Sequence, residues 1–561
     1  MIPWILRRTH RTTDSVLFRW GASLGALVIL FLTSTAAANR FFDDDPLARE
    51  PETQDASKAA PRDIDLFWDL ASNLFGRPGD PAVNVKAKNV NTIDEVPDSN
   101  WFTNRIGARP LTTDEIARGP LMGEPPAQGK WTITRAKDAG AAPGFTARDA
   151  RGELWFVSFD ANGYPEAATG AILVANKIFW ALGYWQVENF LVTIRPEEVS
   201  IGEGARITPP SGRRRPMNGD DLADVFARSH RSVDGAFRGI AARGLPGKIL
   251  GGFSYYGTRP DDPNDIVPHE HRRELRALKV FGAWTNLVDM KAGNTLDTVI
   301  EDRGRQVVRH YLQDVGSTFG TGANAPREWE EGWEYLYEGG TLWKRLVSLG
   351  FYSQPWQSAR YESYPAIGRF EGDAFDPEAW KPRVPTAAFL RARADDDFWA
   401  ARRVAAFSDE ALRAAVRTGA FSDAAAEKHL ADVLIQRRDR IAKTYLPALN
   451  PIVNPVLDAS GTLTFANAAV DAGVANAPGG GYAAEWFRFD NATQETSPLG
   501  RSQSQATRIQ PPPSLPQAAG TFLKVQISAL GAENAAWATP VDAYFRRVGD
   551  AWRLVGLDRM P

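Results

Sequence analysis

Apolar and polar residues begin to alternate with a period of two at Trp131. The stretches WTITRAK, FTARDA and ELWFVSFD follow this pattern and predict three consecutive strands, separated by a small-residue loop and a glycine turn. Apolar residues at helical spacing then run from about Glu166 to Leu182, and Gly183 is placed to end that helix. ENFLVTI predicts another strand. The predicted order is three strands, a helix and a strand.

The next part of the chain is less regular. Between about residues 195 and 268 the periodicity is weak, and we expect irregular structure there, with the basic triplet 213–215 in a solvated loop and one strand-like stretch, KILGGFSYYG. Apolar residues three apart then predict a helix from about His271 to Val288, with the triplet His269-Glu270-His271 at its solvated start. The polar segment DMKAGN follows, and after a charged turn the strand VVRHYLQ leads directly into Asp314-Val315-Gly316.

The C-terminal part contains two further regions. Helical patterns cover about residues 396–406, 409–417 and 423–445, and we expect the acidic run 395–397 to be a helix start favoured by the helix dipole. About the last 110 residues form short alternating stretches separated by Gly, Pro and Asn, typical of a small β domain. Together the patterns predict an α+β protein with a β-rich C-terminal domain.

The first residues have the pattern of an export signal. Several arginines precede an apolar run from Trp20 to Thr33, and Ala36-Ala37-Ala38 provides a small-residue cleavage site. The run is 14 residues long, whereas spanning a bilayer takes about 20. We therefore expect a signal peptide over residues 1–38 and a periplasmic or secreted bacterial protein, with membrane attachment only if the segment is retained as an anchor. Residues 39–63 are charged and contain proline, which predicts a linker.

Composition excludes several functional classes. The net charge is −3, which argues against a nucleic-acid partner. The chain has no cysteine, which excludes thiol catalysis, disulfides, cysteine-ligated zinc and iron–sulfur clusters. Hydrophobic residues make up 43% of the chain, enough for a sizeable core.

Four polar residues carry the candidate chemistry. Asp289, Lys291 and Asn294 share the polar segment after the apolar helix, and Asp314 follows the strand VVRHYLQ. Phosphoryl transfer needs an acid that orients the attacking hydroxyl, a nearby cation and oxygen ligands that hold Mg²⁺ against the phosphates. The chain has these residue types in an order suitable for phosphoryl transfer. Alternatively, the same residues form polar turns in an α/β domain that binds no ligand.

A D-x-K-x-x-N segment followed by D-x-G, after three strands and a helix, resembles the protein-kinase-like superfamily, particularly its HipA-like, CotH-like and phosphoinositide-kinase-like branches. The resemblance covers about residues 125–445 in architecture. It implies a bilobal core with a small β-rich N-lobe and a mainly helical C-lobe. The implied divisions are an N-lobe with an N-terminal extension over 64–200, a C-lobe over 201–447 and the β-rich domain over 448–561.

The same resemblance implies ATP and Mg²⁺ as cofactors and assigns roles to individual residues. Asp289 and Lys291 would be catalytic, and Asn294 and Asp314 would bind the metal. Gly140 and Gly144 would lie in the loop that covers the phosphates. The acceptor of the phosphoryl group, a protein or a small molecule, stays open.

The sequence departs from the kinase pattern at an ion pair. Kinases place a lysine on the third strand and a glutamate on the following helix, whereas this chain has Ser158 and Ile172 at those positions. Lys137, at the end of the first strand, is a substitute nucleotide-binding residue, and Glu166 is its candidate partner. Two functions follow, an exported ATP/Mg²⁺-dependent phosphotransferase or a degenerate pseudokinase that still binds nucleotide or metal. A non-enzymatic periplasmic binding or scaffold protein is the alternative.

Overall fold

The computed structural model describes residues 39–137, 140–209, 212–348 and 354–560. The predicted signal peptide, residues 1–38, therefore lies outside the described residues. The chain is 25% helix and 26% strand, distributed over several sheets, which confirms the α+β class. Within the described residues, no helix is both long enough and apolar enough to cross a membrane.

Most of the helices follow the strands of the largest sheet in the chain. In chain order they are α1 (Leu66–Ala71), α2 (Thr113–Arg118), α3 (Ala167–Leu182), α4 (Gly219–Arg228), α5 (Arg273–Arg276), α6 (Leu278–Thr285), α7 (Gly339–Val347), α8 (Ala387–Arg391), α9 (Ala394–Ala405), α10 (Asp409–Arg417), α11 (Ala424–Tyr445) and α12 (Ala468–Asp471). The predicted helices after residue 395 are confirmed.

The largest sheet contains the three strands that the alternating pattern predicts. Its members are β1 (Trp131–Ala136), β2 (Gly144–Arg148), β3 (Leu154–Phe159), β4 (Asn189–Ile194), β5 (Val199–Ile207), β6 (Arg215–Pro216) and β7 (Phe237–Arg243). The order across the sheet is β4-β7-β3-β2-β1-β5-β6. Strands β1, β2 and β3 pair antiparallel as consecutive neighbours, and α3 contacts β3, β4 and β7.

A small second sheet connects the two polar segments of the candidate site. It contains β8 (Lys248–Gly251), β9 (Thr295–Asp302) and β10 (Arg305–Leu312), in the order β10-β9-β8. Strands β9 and β10 form an antiparallel hairpin in which Leu312 faces Thr295. The start of β9 and the end of β10 therefore lie side by side, which places Asn294 close to Asp314.

The structure corrects three expectations for the middle of the chain. The region 195–268 is not irregular: besides β8, which begins the strand-like stretch KILGGFSYYG, it supplies strands β5, β6 and β7 and helix α4. The predicted helix 271–288 is divided into α5 and α6 and ends at Asn286, whose φ is 54°. The triplet 269–271 is not solvated: His269, Glu270 and His271 are 2%, 1% and 0% exposed. Each of the three is held by hydrogen bonds, for example His269 to Asp265 at 2.8 Å.

The acidic run 395–397 does begin a helix, α9, but its role differs from the expected one. All three carboxylates are buried. Asp396 pairs with Arg273 and Arg276 at 2.9 and 3.0 Å, and Asp397 pairs with Lys279 at 2.7 Å. These ion pairs join α9 to α5 and α6, whereas the expectation considered only the helix dipole.

The C-terminal domain combines two sheets. The larger has the order β14-β13-β16-β17-β18 and the smaller β11-β12-β15. Their strands are β11 (Ile452–Leu457), β12 (Leu463–Asn467), β13 (Tyr482–Phe489), β14 (Thr496–Ser504), β15 (Arg508–Ile509), β16 (Phe522–Ala529), β17 (Val541–Val548) and β18 (Ala551–Asp558).

The segment 39–63 contains no helix or extended strand, in keeping with a linker, but parts of it are packed against folded sheets. Phe41 is 3% exposed and lies against Phe489, Phe522 and Tyr544 of the C-terminal domain. Further along, Ala56 and Ala59 are buried with residues of β8, β9 and β10. The segment therefore lies along both the C-terminal domain and the small sheet.

Candidate functional site

Asn294 holds the polar loop after α6 together with the end of β10. Its side-chain Nδ2 donates to the backbone carbonyl of Asp289 at 2.7 Å. Its own carbonyl accepts from the backbone N–H groups of Gln313 and Asp314, at 3.0 and 3.1 Å. Asp289, Asn294 and Asp314, distant in sequence, are therefore joined by direct hydrogen bonds through Asn294.

Two cations flank the carboxylate of Asp289. Nζ of Lys291 lies 2.7 Å from its Oδ2, and Nη2 of Arg327 lies 3.9 Å from the same oxygen. Burial acts to raise the pKa of the Asp289 carboxyl, but the Lys291 and Arg327 charges hold it below its usual value. Asp289 is therefore anionic at neutral pH and suited to orient a hydroxyl.

Asp314 presents an exposed carboxylate beside a tight turn. Its Oδ1 accepts from the backbone N–H of Gly316 at 2.9 Å. A Cβ atom on Gly316 would lie 2.7 Å from Cγ1 of Ile172 on α3. The helix that follows the third strand thus contacts the D-x-G turn through an apolar side chain, where the kinase pattern has a glutamate.

Lys137 extends from the end of β1 to the third strand. Its Nζ donates to Oγ of Ser158 at 2.9 Å. Desolvation lowers the pKa of the Lys137 ammonium, while the negative charge of Asp314 acts in the opposite direction. Lys137 therefore contacts Ser158 directly, and Asp314 is near enough for its negative charge to act on the lysine.

The two glycines of the predicted phosphate-covering loop have different environments. Gly140 has a φ of 79°, and a Cβ there would lie 3.6 Å from Cε of Lys137. Gly144 is the first residue of β2 and pairs with Ser158, and the carbonyl of Val157 leaves no room for a Cβ. Both glycines therefore lie next to Lys137 or to its hydrogen-bond partner.

Glu166 does not join this cluster. Its Oε1 lies 3.8 Å from Nη1 of Arg238, and its Oε2 accepts from the backbone N–H of Ser422 at 2.8 Å. The proposed pairing of Lys137 with Glu166 is therefore not formed. Glu166 instead connects the start of α3 to the turn before α11.

Sequence reasoning missed several residues around Asp289. Arg327 contacts Asp289 and also donates to Ser317, yet it follows Asp314 in a segment without a recognisable motif. On the other side of the loop, Asp69 of α1 accepts from the backbone of Ala292 and from Ser254. Helix α1 lies in the predicted N-terminal extension, and no sequence signal placed it against the loop.

The oxygen donors of the site suit a hard cation. Asp314 offers a carboxylate, and the hydrogen bond from Nδ2 of Asn294 leaves the amide Oδ1 of that residue available. Mg²⁺ is usually bound through one or two protein oxygens, with water and phosphate completing its octahedron. Within the described parts of the chain, no cluster of three or more His, Cys, Asp or Glu residues could hold a metal ion. Asp314 and Asn294 alone do not form such a cluster, so Mg²⁺ at this site would need phosphate and water oxygens as its remaining ligands.

Comparison of the chain with protein-family models, with curated proteins and with solved structures finds no match.

Proposed function

We propose that this protein is a divergent kinase-like protein that binds ATP with Mg²⁺ between the largest sheet and the polar loop after α6. The observation that carries the proposal is the contact of Lys137 with Ser158 at 2.9 Å. It puts a lysine from the first strand beside the third-strand position where kinases have theirs. The contact supports a relocated lysine rather than a lost one, and it favours the phosphotransferase over the degenerate form.

Each residue has a role in this proposal. Lys137 would contact the phosphates, and Asp289 would orient the acceptor hydroxyl, with Lys291 neutralising developing charge. Asp314 and Asn294 would hold Mg²⁺, which when bound would neutralise charge on the transferring phosphate. The antiparallel β1-β2-β3 arrangement with α3 after it supports a kinase-like N-lobe, and the helices after residue 386 support a helical C-lobe.

Export is part of the same proposal and rests on the pattern of residues 1–38. Expression of the full chain in a bacterium, followed by fractionation and mass determination of the mature N-terminus, would test it. Cleavage after the alanine triplet is expected. A cytoplasmic, unprocessed product would contradict export.

Two measurements test the function. One is thermal unfolding in the presence of ATP, of Mg²⁺ and of both, and the other is an assay of ATP turnover. A ligand at a hundredfold excess over its Kd stabilises the folded state by about 2.7 kcal/mol. We expect stabilisation by ATP that depends on Mg²⁺, and ADP formation or autophosphorylation that Asp289→Asn abolishes without abolishing binding.

Substitution of Asp314 by Asn tests the metal site. The amide keeps an oxygen acceptor for the N–H of Gly316 but removes the negative charge, so the fold should persist while the Mg²⁺ dependence is lost. Nucleotide binding without turnover in the wild type would indicate the degenerate form. Absence of any nucleotide effect, with or without metal, would contradict the proposal and favour a scaffold.

A further inference from the structure

Helix α11 contains a buried arginine that packs against two aromatic rings. Arg437 is 4% exposed, and its guanidinium carbon lies 3.8 Å from the ring centre of Phe375 and 4.6 Å from that of Phe370. Within the described part of the chain, none of its nitrogens makes a hydrogen bond or an ion pair, and Nε is fully enclosed. Burial lowers the pKa of Arg437 to about 9, an effect that the charge of Glu371 opposes.

Another buried arginine shows what a structural arginine looks like in this protein. Arg559 is 6% exposed, yet its guanidinium donates to the carbonyl of Ile452 at 2.8 Å and to that of Asn450. Burial of a guanidinium is unfavourable unless hydrogen-bond acceptors or opposite charges compensate it. Among the described residues, Arg437 has no backbone acceptor of the kind that Arg559 has.

The side chain of Arg437 lines a cavity of about 20 Å³. The hydroxyl of Tyr361, also at the cavity, accepts from Nε1 of Trp333 at 3.2 Å, so its own proton is free to donate. The carboxylate of Glu371 accepts from the backbone N–H of Ala374 at 2.7 Å. The remaining lining residues are Asn286, Gly332, Arg369, Phe375, Asp376 and Trp380.

The volume of the cavity and the polar groups that line it limit which ligands it can bind. A single water needs roughly 10–15 Å³, so the space suits a very small ligand. Water would satisfy the donors, whereas the charge of Arg437 is opposed by that of Glu371 only from beyond ion-pair distance. An oxyanion would accept from the planar guanidinium through two oxygens, and the Tyr361 hydroxyl could add a third hydrogen bond.

We propose that this cavity is a binding site for a small oxyanion, held by Arg437 and Tyr361. The site differs from the proposed nucleotide site and does not depend on it. Asn286 also lines the cavity and accepts from Nε1 of Trp380 at 2.8 Å. This residue ends α6, three residues before Asp289.

Titration with inorganic phosphate, with acetate and with chloride at matched ionic strength would test the site by thermal unfolding and calorimetry. Phosphate stabilises many proteins through exclusion from their surface, so the informative quantity is the difference between variants. We expect a saturable response of the wild type to phosphate or acetate. A response to both would indicate a general oxyanion site, and a response to one would identify the preferred class.

Arg437→Met should weaken oxyanion binding roughly tenfold or more, because a charged hydrogen-bonding group is lost. Lys443→Met is the control, since Lys443 is an exposed cation on the same helix. If Arg437→Met does not fold, Tyr361→Phe, which removes one donor, should still weaken binding. The proposal is overturned if the wild type shows no saturable response to either oxyanion, or if Arg437→Met and Tyr361→Phe respond like the wild type.

Discussion

Nζ of Lys137, at the end of β1, lies 2.9 Å from Oγ of Ser158 on β3. A positive charge thus reaches the third strand from the end of the first, although β2 lies between the two strands in the sheet. Because the two positions are in contact, the lysine can be moved between them experimentally.

Lys137→Met should weaken Mg²⁺-dependent ATP binding roughly tenfold or more, through loss of a charged contact to phosphate. The double substitution Lys137→Met/Ser158→Lys should restore part of the affinity, because it returns the ammonium to the same neighbourhood from β3. Calorimetry would measure both, with the exposed Lys130→Met as the control. Equal affinity of Lys137→Met and the wild type would contradict a phosphate contact.

The contact between α3 and the D-x-G turn predicts a steric coupling. A Cβ at Gly316 would lie 2.7 Å from Cγ1 of Ile172, so Gly316→Ala should destabilise the protein by about 1–3 kcal/mol through overpacking. Adding Ile172→Ala should reduce that cost, and urea unfolding of the double-mutant cycle would measure it.

Gly219→Ala is the control for this cycle, because a Cβ there meets no atom within 4 Å. Strictly additive effects of Gly316→Ala and Ile172→Ala would show that the two residues are not packed together.

The ion pairs between α9 and α5 predict a large stability effect. Asp396→Ala should cost about 3–5 kcal/mol, because it removes a buried carboxylate from Arg273 and Arg276 and leaves both charges without that partner. Asp409→Ala removes an acid whose side chain is 51% exposed and should cost less than about 1 kcal/mol. Chemical denaturation would measure the free energy of unfolding of both variants. Similar losses of stability would contradict a structural role specific to Asp396.

Asp397 predicts a pH dependence of stability. Burial raises the pKa of its carboxyl to about 6, against the attraction of Lys279. Between the usual pKa of an aspartate, near 4, and this value, the native state binds more protons than the unfolded state. Stability must therefore fall as pH rises through that window.

The expected size of this effect is roughly 1.4 kcal/mol for each unit of pKa shift. Asp397→Asn cannot ionise, so its stability relative to the wild type should rise between about pH 4 and pH 6. Unfolding free energies measured across this range would test it. A pH-independent difference between the two proteins would contradict the raised pKa.

Alternation and helical spacing were sufficient to predict β1, β2, β3 and α3. In β1 and β3 the burial largely follows the alternating pattern, whereas β2 and α3 are buried on nearly all sides. Strand β9 was not predicted. It carries Asp297 at a buried position, where the carboxylate pairs with His310 at 2.8 Å, and this interrupts the apolar pattern. Strand β7 was missed because its buried residues do not alternate: Ile240 and Ala241 are adjacent in the chain and both are buried.

The candidate site was predictable where its residues share a short motif, as Asp289, Lys291 and Asn294 do. The neighbourhood of Asp314 and Asn294 depends on the β9–β10 register, which the sequence pattern did not reveal. Arg327 and helix α1 reach the loop through long-range packing, and no local pattern encodes such contacts. The contact of Lys137 with Ser158 could not be predicted, because it depends on how β1 and β3 are placed relative to each other.

The packing of Phe41 among Phe489, Phe522 and Tyr544 has a consequence for the order of folding. During synthesis, the aromatic partners of Phe41 emerge from the ribosome several hundred residues after it does. Phe41 must therefore wait without these aromatic contacts until the C-terminal domain has been synthesised. A chain truncated near residue 447 would leave Phe41 in water, and its early segment would be an accessible target for chaperones and proteases.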